Sequence, residues 1–265
     1  MNDDILYEKL GHVRLITINR PAKMNSLNFA AHEALVDFWQ EFNSDNDARV
    51  AVITGTGDKA FCCGADLKTY TMAFARTAAP EFNRRYTNGP GLGGITRNIK
   101  VFKPIIAAIN GYAISGGLEI ALACDIRICS THSKFGLQDV RWGFHPCDGA
   151  LIRLKEVIGL GHAMEMILSG DRFDSAFAYR TGLVNRIVAQ DQLLPESIAY
   201  AQQLASRAPI AQQFAKKVIY RAHGLAMDEA LRLESQSFRN LADTEDLAEG
   251  NLSFHEKREA QFKGK

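Results

Sequence analysis

The chain has few cysteines, no excess of one charge and no long uninterrupted apolar run. Its five cysteines, Cys62, Cys63, Cys124, Cys129 and Cys147, are odd in number and lack CxxC spacing. This pattern argues against a zinc site or a redox dithiol and predicts a reducing compartment. Among 265 residues the net charge is only +1, which gives no general attraction to nucleic acid or to an anionic membrane.

Signals for membranes and for export are absent as well. The longest apolar stretch, residues 101–130, is interrupted by charged residues, proline and glycine, so it does not predict a transmembrane helix. The first five residues have neither the basic, apolar start of a secretory signal nor the arginine-rich character of a transit peptide. We therefore expect a cytoplasmic protein.

Three familiar catalytic or nucleotide-binding signatures are missing. The run at residues 91–96 lacks the third glycine of a dinucleotide-binding fingerprint, and no GxxxxGK[ST] phosphate loop occurs. Ser115 is not part of a GxSxG turn, which disfavours a serine hydrolase.

Strand and helix patterns alternate through the first two thirds of the chain and predict an α/β fold. Two β-rich runs around Gly11 predict a hairpin. Two strand-helix-strand units are predicted. In the first, the hairpin is followed by helix 29–42 and strand 49–54, and in the second, strand 105–109 is followed by helix 117–123 and strand 126–130. The irregular residues 68–100 are expected to form a mobile helix-loop segment covering a site.

Helical patterns dominate after residue 149. They predict helices at 151–158, 162–168, 175–180, 191–206, 210–223 and 227–241, with one strand at 184–188. Pro209 is suited to restarting a helix. We therefore divide the chain into a core of residues 1–206 and a helical module of residues 207–265.

The most informative segment is the apolar run at residues 106–125, which contains one carboxylate in its helical half, Glu119. Burying an ionised acid costs several kcal/mol, roughly, unless it is paired, hydrogen-bonded or protonated. Glu119 is therefore either compensated or functional. Asp125 and Arg127 nearby are expected to form a structural, mutually compensated pair.

Three segments are candidates for a site. Small residues at 59–67 would leave backbone N–H groups approachable, and Gly116-Gly117 opens a helix whose first amides lack intrahelical acceptors. Residues 135–149 place Asp139, His145 and Asp148 among aromatic residues. Ordinary turns, and for Asp148 a helix N-cap, are the structural alternatives.

These segments and two others resemble the enoyl-CoA hydratase/isomerase (crotonase) family along nearly the whole chain. The matching runs are residues 19–28, 60–67, 110–125, 135–149 and 254–264. The resemblance implies a crotonase-like spiral of ββα repeats with a C-terminal helical trimerisation module. It also implies an acyl-CoA thioester ligand, no cofactor beyond that CoA, and homotrimers or dimers of trimers.

The resemblance assigns roles to the residues of the site. Ala65 and Gly116 match the two backbone donors that stabilise a thioester enolate, a contribution often worth roughly 3 kcal/mol per donor. Glu119 matches the glutamate that helps activate water for addition at Cβ, and Asp139 takes the place of the second glutamate, which supplies the proton to Cα. An aspartate is shorter by about 1.5 Å, so efficient hydration is in question. Asp148 or His145 could instead carry a proton opposite Glu119.

Contacts to CoA follow from the same resemblance. Those expected mainly through the backbone are Ala22, Lys23, Met24, Cys63, Ala65, Asp66 and Leu67, and Lys23 could also attract the ribose phosphate. The tail residues Phe254 and Lys257 match positions that reach the adenine and phosphates, often from a neighbouring subunit. Tyr112 completes the expected binding residues.

The leading interpretation is a trans-2-enoyl-CoA hydratase or its reverse dehydratase. An enoyl-CoA double-bond isomerase, which needs a single proton-shuttling carboxylate, is the alternative within enzymes. A CoA-binding assembly protein without turnover is the alternative outside them, motivated by Asp139 and the altered residues 144–149.

Overall fold

The computed structural model describes residues 3–97 and 100–265. The chain begins with the predicted hairpin, in which β1 (Ile5–Leu10) pairs antiparallel with β2 (Val13–Ile18). The predicted first helix follows as α1 (Phe29–Ser44), where the Asn28 side chain accepts a hydrogen bond from the Ala31 amide and so caps the helix start.

Three pairs of strands then place one strand in each of two sheets. The pairs are β3 (Val50–Gly55) with β4 (Ala60–Cys62), β5 (Ile105–Ile109) with β6 (Tyr112–Ile114), and β7 (Ile126–Ser130) with β8 (Lys134–Gly136). The short β9 (Phe173–Asp174) and β10 (Arg186–Val188) close the sheets, whose orders are β1-β2-β3-β5-β7-β10 and β4-β6-β8-β9. Each strand pair therefore advances both sheets by one parallel strand, which describes a spiral.

Nine further α-helices lie in the described residues. They are α2 (Met72–Ala75), α3 (Ala79–Phe82), α4 (Gly116–Ala123), α5 (Ala150–Ser169), α6 (Ser175–Arg180), α7 (Leu193–Ala205), α8 (Pro209–Ala222), α9 (Met227–Arg239) and α10 (Glu245–Glu256). In the described residues, no helix is long and apolar enough to cross a membrane.

The large sheet is covered on both faces. The strand β3 is buried at every position, because α1 packs from one side through Leu35 and Phe42 while α7 packs from the other through Leu193 and Ala201. Burial on both faces explains why this strand is continuously apolar rather than alternating.

The module predicted at residues 207–265 is tied to the core by buried polar contacts. On α8, the Lys216 ammonium lies 2.7 Å from the Asp125 carboxylate and donates to the Lys103 carbonyl at 3.0 Å. Arg49, just before β3, donates to the carbonyls of Ala205 and Phe262. The division near residue 206 stays a prediction.

Of three local expectations, one, the Asp125–Arg127 pair, was wrong. The predicted helices 151–158 and 162–168 are both present within α5, separated by non-helical backbone at Gly159. Asp125 and Arg127 do not pair with each other: Asp125 binds Lys216, and the Arg127 side chain donates to the carbonyls of Leu183 and Cys124. The irregular segment 68–100 contains short α and π-helical turns, apart from residues 98 and 99, which lie outside the described residues.

Candidate active site

Glu119 lies in the N-terminal part of α4 and is only 2 % exposed. Its Oε1 accepts hydrogen bonds from the backbone amides of Asp148 at 2.7 Å and Ala150 at 3.0 Å. Burial raises the pKa of this carboxyl to about 8, helped by the negative charges of Asp148 and Asp139 and opposed by the two amides. The side chain is thus held in one orientation in a poorly solvated place, as an acid-base group requires.

Two backbone amides lie next to each other at the start of α4, the helix that carries Glu119. A parallel bridge pairs Leu27 with Ala65, using the Gly64 carbonyl and the Asp66 amide. The Ala65 N–H therefore points away from Leu27, and in the described residues no acceptor takes it. A Cβ placed on Gly116 would lie 3.5 Å from the Ala65 nitrogen, so the first amide of α4 is adjacent. The two predicted donors are brought together.

Ser115 orients the Gly116 amide through an unusual backbone conformation. It precedes α4 with φ 51° and ψ −122°, a region that costs a non-glycine residue on the order of 1–3 kcal/mol. Its amide donates to the Gly136 carbonyl at 2.8 Å, and its own carbonyl accepts from Glu119 at 3.1 Å. The strained turn sets the direction of both the Gly116 amide and the Glu119 helix.

Gly117, the second residue of α4, must be a glycine because the helix packs closely against β4. A Cβ on Gly117 would come within 1.9 Å of the Cys62 carbonyl oxygen, so only glycine lets α4 approach β4 this closely. Since β4 leads into Ala65, this approach fixes the spacing of the two amides.

Asp139 is the second buried carboxylate of the site, at 5 % exposure, and lies in the 3-10 turn Gln138–Trp142. Burial raises its pKa, while a hydrogen bond with the Ser115 side chain and the nearby His145 oppose that shift. Its Oδ2 is buried without a hydrogen-bond partner in the described residues. An unpartnered oxygen in this position is available to a water or to a substrate proton.

Asp148 is close to Glu119 through its backbone, whereas its carboxylate points elsewhere. Its Oδ1 accepts from the Leu92 amide at 3.1 Å, the Thr96 hydroxyl at 3.0 Å and Arg97 Nε at 3.3 Å. The alternative of an N-cap is wrong, because α5 is preceded by Gly149 without a side-chain cap. His145 holds its ring nitrogen 2.8 Å from the Pro146 carbonyl.

The expected CoA-contact segments of the core lie side by side. Residues Pro21–Lys23 form an exposed 3-10 turn, so Ala22 and Lys23 face solvent. The Met24 carbonyl accepts from the Cys63 amide at 3.2 Å, which joins this turn to the loop that carries Ala65. The Asp66 carboxylate caps the π-helical turn Leu67–Thr71, and Leu67 is 46 % exposed.

Tyr112 lies at the start of β6, and its ring is covered by the Arg172 guanidinium at 4.9 Å. The tail residues lie apart from this group. Phe254 is 81 % exposed near the end of α10, and Lys257 follows that helix in a left-handed conformation. In the described residues, no hydrogen bond or ion pair joins either one to the surroundings of Glu119.

The sequence did not predict the residues that contact Asp148. It also did not predict Leu92, whose side chain lies next to the Gly116 amide. The Leu92 side chain packs directly on Gly116, where a Cβ would lie 2.3 Å from its Cδ2. Arg97, Arg153 and His32 also belong to this region, and only their contacts across long sequence separations reveal it. No cluster able to hold a metal ion occurs among the residues that the structure describes.

Two neighbouring backbone amides and a buried carboxylate thus meet on two mainly parallel sheets, an arrangement typical of enzymes that stabilise an oxyanion. Comparison with known proteins identifies the family. A sequence model of the enoyl-CoA hydratase/isomerase family matches residues 8–265. The (E)-benzylidenesuccinyl-CoA hydratase of Thauera aromatica is 37% identical over 98% of this chain and 99% of its own. The short-chain-enoyl-CoA hydratase of Clostridium acetobutylicum is 33% identical over 98% and 97%.

Solved structures agree. Enoyl-CoA hydratases from Bacillus anthracis and Mycobacterium tuberculosis superpose with TM-scores of 0.88 and 0.89 at 32% and 33% identity, covering 99% and 100% of this chain and 100% of each of theirs. The chain belongs to the enoyl-CoA hydratase/isomerase family. The predictions of family, of a crotonase-like α/β fold and of an enoyl-CoA hydratase-type lyase are thereby confirmed, while trimerisation through the C-terminal helices stays a prediction.

Proposed function

We propose that the protein catalyses hydration of trans-2-enoyl-CoA thioesters and the reverse dehydration, with Glu119 and Asp139 as its two carboxylates. The observation that carries this proposal is which oxygens of the two carboxylates have hydrogen-bond partners and which do not. Glu119 has one oxygen fixed by two backbone amides, which leaves Oε2 to act on water, and Asp139 has a buried oxygen without a partner in the described part of the chain.

The geometry supports a stepwise addition. The thioester oxygen takes hydrogen bonds from the Ala65 and Gly116 amides, which strengthen as negative charge develops on it. Glu119 removes a proton from water as its oxygen bonds to Cβ, and the double-bond electrons move through Cα onto the thioester oxygen as an enolate. The enolate then re-forms the carbonyl while Cα takes a proton from Asp139, whose raised pKa suits a proton donor.

Isomerisation is less well supported. It needs a carboxylate free to move a proton between Cα and Cγ, and the sequence offers Asp148 for this role. Both oxygens of Asp148 have partners instead, Oδ1 the groups of Leu92, Thr96 and Arg97 and Oδ2 the Cys147 thiol at 3.9 Å. Asp139 has a buried oxygen without a partner in the described residues, so the arrangement favours hydration.

Oxygen-18 incorporation tests the proposal. Enoyl-CoA thioesters of several chain lengths in labelled water should give 3-hydroxyacyl-CoA with the label at Cβ, and Glu119→Gln should lower the rate by about 10²–10⁴-fold. Migration of the double bond without label would instead identify an isomerase. Binding of CoA thioesters without turnover by either protein would identify a CoA-binding protein.

We also propose homotrimers or dimers of trimers built through residues 207–265. Large apolar side chains stand exposed on α8 and α9 and just before α9, among them Ile219 at 73%, Met227 at 73% and Phe238 at 70%. Isolated exposed apolar residues are common, but a group of this size on two adjoining helices favours an interface. Light scattering after size-exclusion chromatography should give three or six times 29.3 kDa. A cytoplasmic location, no nucleic-acid or membrane partner and no cofactor beyond CoA stay predictions from the sequence.

A further inference from the structure

Asp148 joins two parts of the site that are far apart in the sequence. Its backbone amide holds Glu119 Oε1 at 2.7 Å. Its carboxylate binds residues 91–97, here named the strap, through the Leu92 amide, the Thr96 hydroxyl and Arg97 Nε. One residue therefore contacts both Glu119 and the segment that packs on Gly116.

The strap has a second attachment on its other edge. The Trp39 indole on α1 donates to the Gly93 carbonyl at 2.8 Å, and the Gly93 amide donates to His32 Nδ1 at 3.2 Å. Between these attachments the Leu92 side chain packs on Gly116. Leu92 is 3% exposed, so the strap supplies an apolar wall for the pair of amides.

Arginine side chains reinforce the Asp148 attachment. Arg97 also donates to the Cys147 carbonyl. Arg153 donates to the Thr96 carbonyl at 2.7 Å and to the Asp148 carbonyl at 3.3 Å. The carboxylate of Asp148 is thus a partly buried charge with Arg97 as its counter-ion, at 14% and 33% side-chain exposure.

We propose that Asp148 is a positioning residue whose carboxylate, paired with Arg97, holds Leu92 against the amide pair and whose charge acts on Glu119. This inference rests on the proposed hydration reaction. It assigns no proton transfer to Asp148, because Oδ1 accepts hydrogen bonds from the strap and Oδ2 lies against the Cys147 thiol at 3.9 Å.

Charged and titratable groups on several elements face this arrangement. The groups that act on Glu119 or Asp148 are Asp139, Cys147, Arg97, Arg153, His32 and Tyr70. Burial lowers the pKa of His32 and raises that of Cys147 to about 12, so at neutral pH both are uncharged. The negative charge of Asp148 is the largest single charge raising the pKa of Glu119.

Two substitutions separate the proposed roles. Asp148→Asn removes the charge but keeps an oxygen that can accept from the strap, whereas Asp148→Ala removes both. With Asn we expect the acid limb of the kcat/KM profile to move to lower pH by roughly one unit, and the plateau to fall by less than about tenfold. With Ala we expect the same movement and a further loss of about tenfold or more, because Leu92 is no longer held.

Hydrogen-deuterium exchange on the full-length protein supplies a readout independent of turnover. The Leu92 amide should exchange about tenfold faster or more in Asp148→Ala than in wild type, and stay protected in Asp148→Asn. Unchanged protection in the alanine variant would overturn the positioning role. A loss of about 10²–10⁴-fold in kcat in both variants, with the acid limb unmoved, would instead make Asp148 a proton carrier. If wild type hydrates no enoyl-CoA, the proposed function fails, while the exchange result still decides whether Asp148 holds the strap.

Discussion

Replacing Glu119 by Gln should stabilise the protein at alkaline pH while abolishing most of its activity. The carboxyl of Glu119 has a pKa near 4.5 in the unfolded chain and about 8 in the folded protein. A raised pKa means that the folded state holds this proton more tightly than the unfolded state. The associated stability is fully present below pH 4.5 and is lost as pH rises through about 8.

The magnitude follows from that displacement. At about 1.36 kcal/mol for each pKa unit, a rise from 4.5 to about 8 corresponds to an upper bound of roughly 5 kcal/mol of lost stability above pH 8. Relaxation and water entry around a charged Glu119 reduce this value, so we expect at least ~2 kcal/mol. Glutamine keeps an oxygen that can accept from Asp148 and Ala150 but never ionises.

Denaturant unfolding at pH 5 and pH 9 checks this expectation. The free energy of unfolding of Glu119→Gln relative to wild type should be higher at pH 9 than at pH 5 by at least ~2 kcal/mol. Glu156→Gln is a matched control, because that side chain on α5 is 53% exposed and should change stability by less than ~0.5 kcal/mol at both pH values. A gain that is the same at both pH values would refute a raised pKa at Glu119.

Three further predictions, two of them with a control variant, test the fold and the site. Gly117→Ala should destabilise the protein by at least ~2 kcal/mol, since its Cβ would lie 1.9 Å from the Cys62 carbonyl oxygen. The control Gly161→Ala, at an open position on α5, should stabilise it by ~0.5–1 kcal/mol. Equal effects of the two substitutions in thermal unfolding would contradict the close packing at Gly117. Lys216→Ala should cost ~3–5 kcal/mol, because it leaves the Asp125 carboxylate without its counter-ion. The control Lys217→Ala, which removes contacts to aromatic rings, should cost less than ~1 kcal/mol. If Lys216→Ala leaves the free energy of unfolding in denaturant unchanged, this pair does not hold the C-terminal helices to the core. Asp139→Asn should lower kcat by about 10²-fold or more, and wild-type kcat would remove Asp139 from the chemistry.

The parts of the fold that depend on local pattern were predictable. The hairpin and the strands β3, β5 and β7 follow from β-rich runs of five or more residues bounded by turns, and α1 follows from apolar residues at helical spacing. The strands β4, β6 and β8 have only three residues each, which is too short for a periodic signal. The second sheet was therefore missed, although the spiral that contains it was implied by the family resemblance.

The residues of the site also fall into two groups, those that a local sequence pattern predicts and those that depend on long-range packing. Glu119, Ala65 and Gly116 could be predicted as site residues because each lies in a distinctive local sequence. The partners of Asp148 lie more than 50 positions away in an irregular segment, and Asp125 finds Lys216 across 91 positions. No local pattern encodes such contacts, because they depend on how the elements pack.

The most direct test of the central claim follows one oxygen atom. Wild-type protein incubated with a trans-2-enoyl-CoA in oxygen-18 water should form 3-hydroxyacyl-CoA labelled at Cβ, detected by mass spectrometry, and Glu119→Gln should form about a hundredfold less or lower. Product carrying the label at the same rate in both proteins would contradict the assignment of Glu119. A migrated double bond without label would contradict hydration itself.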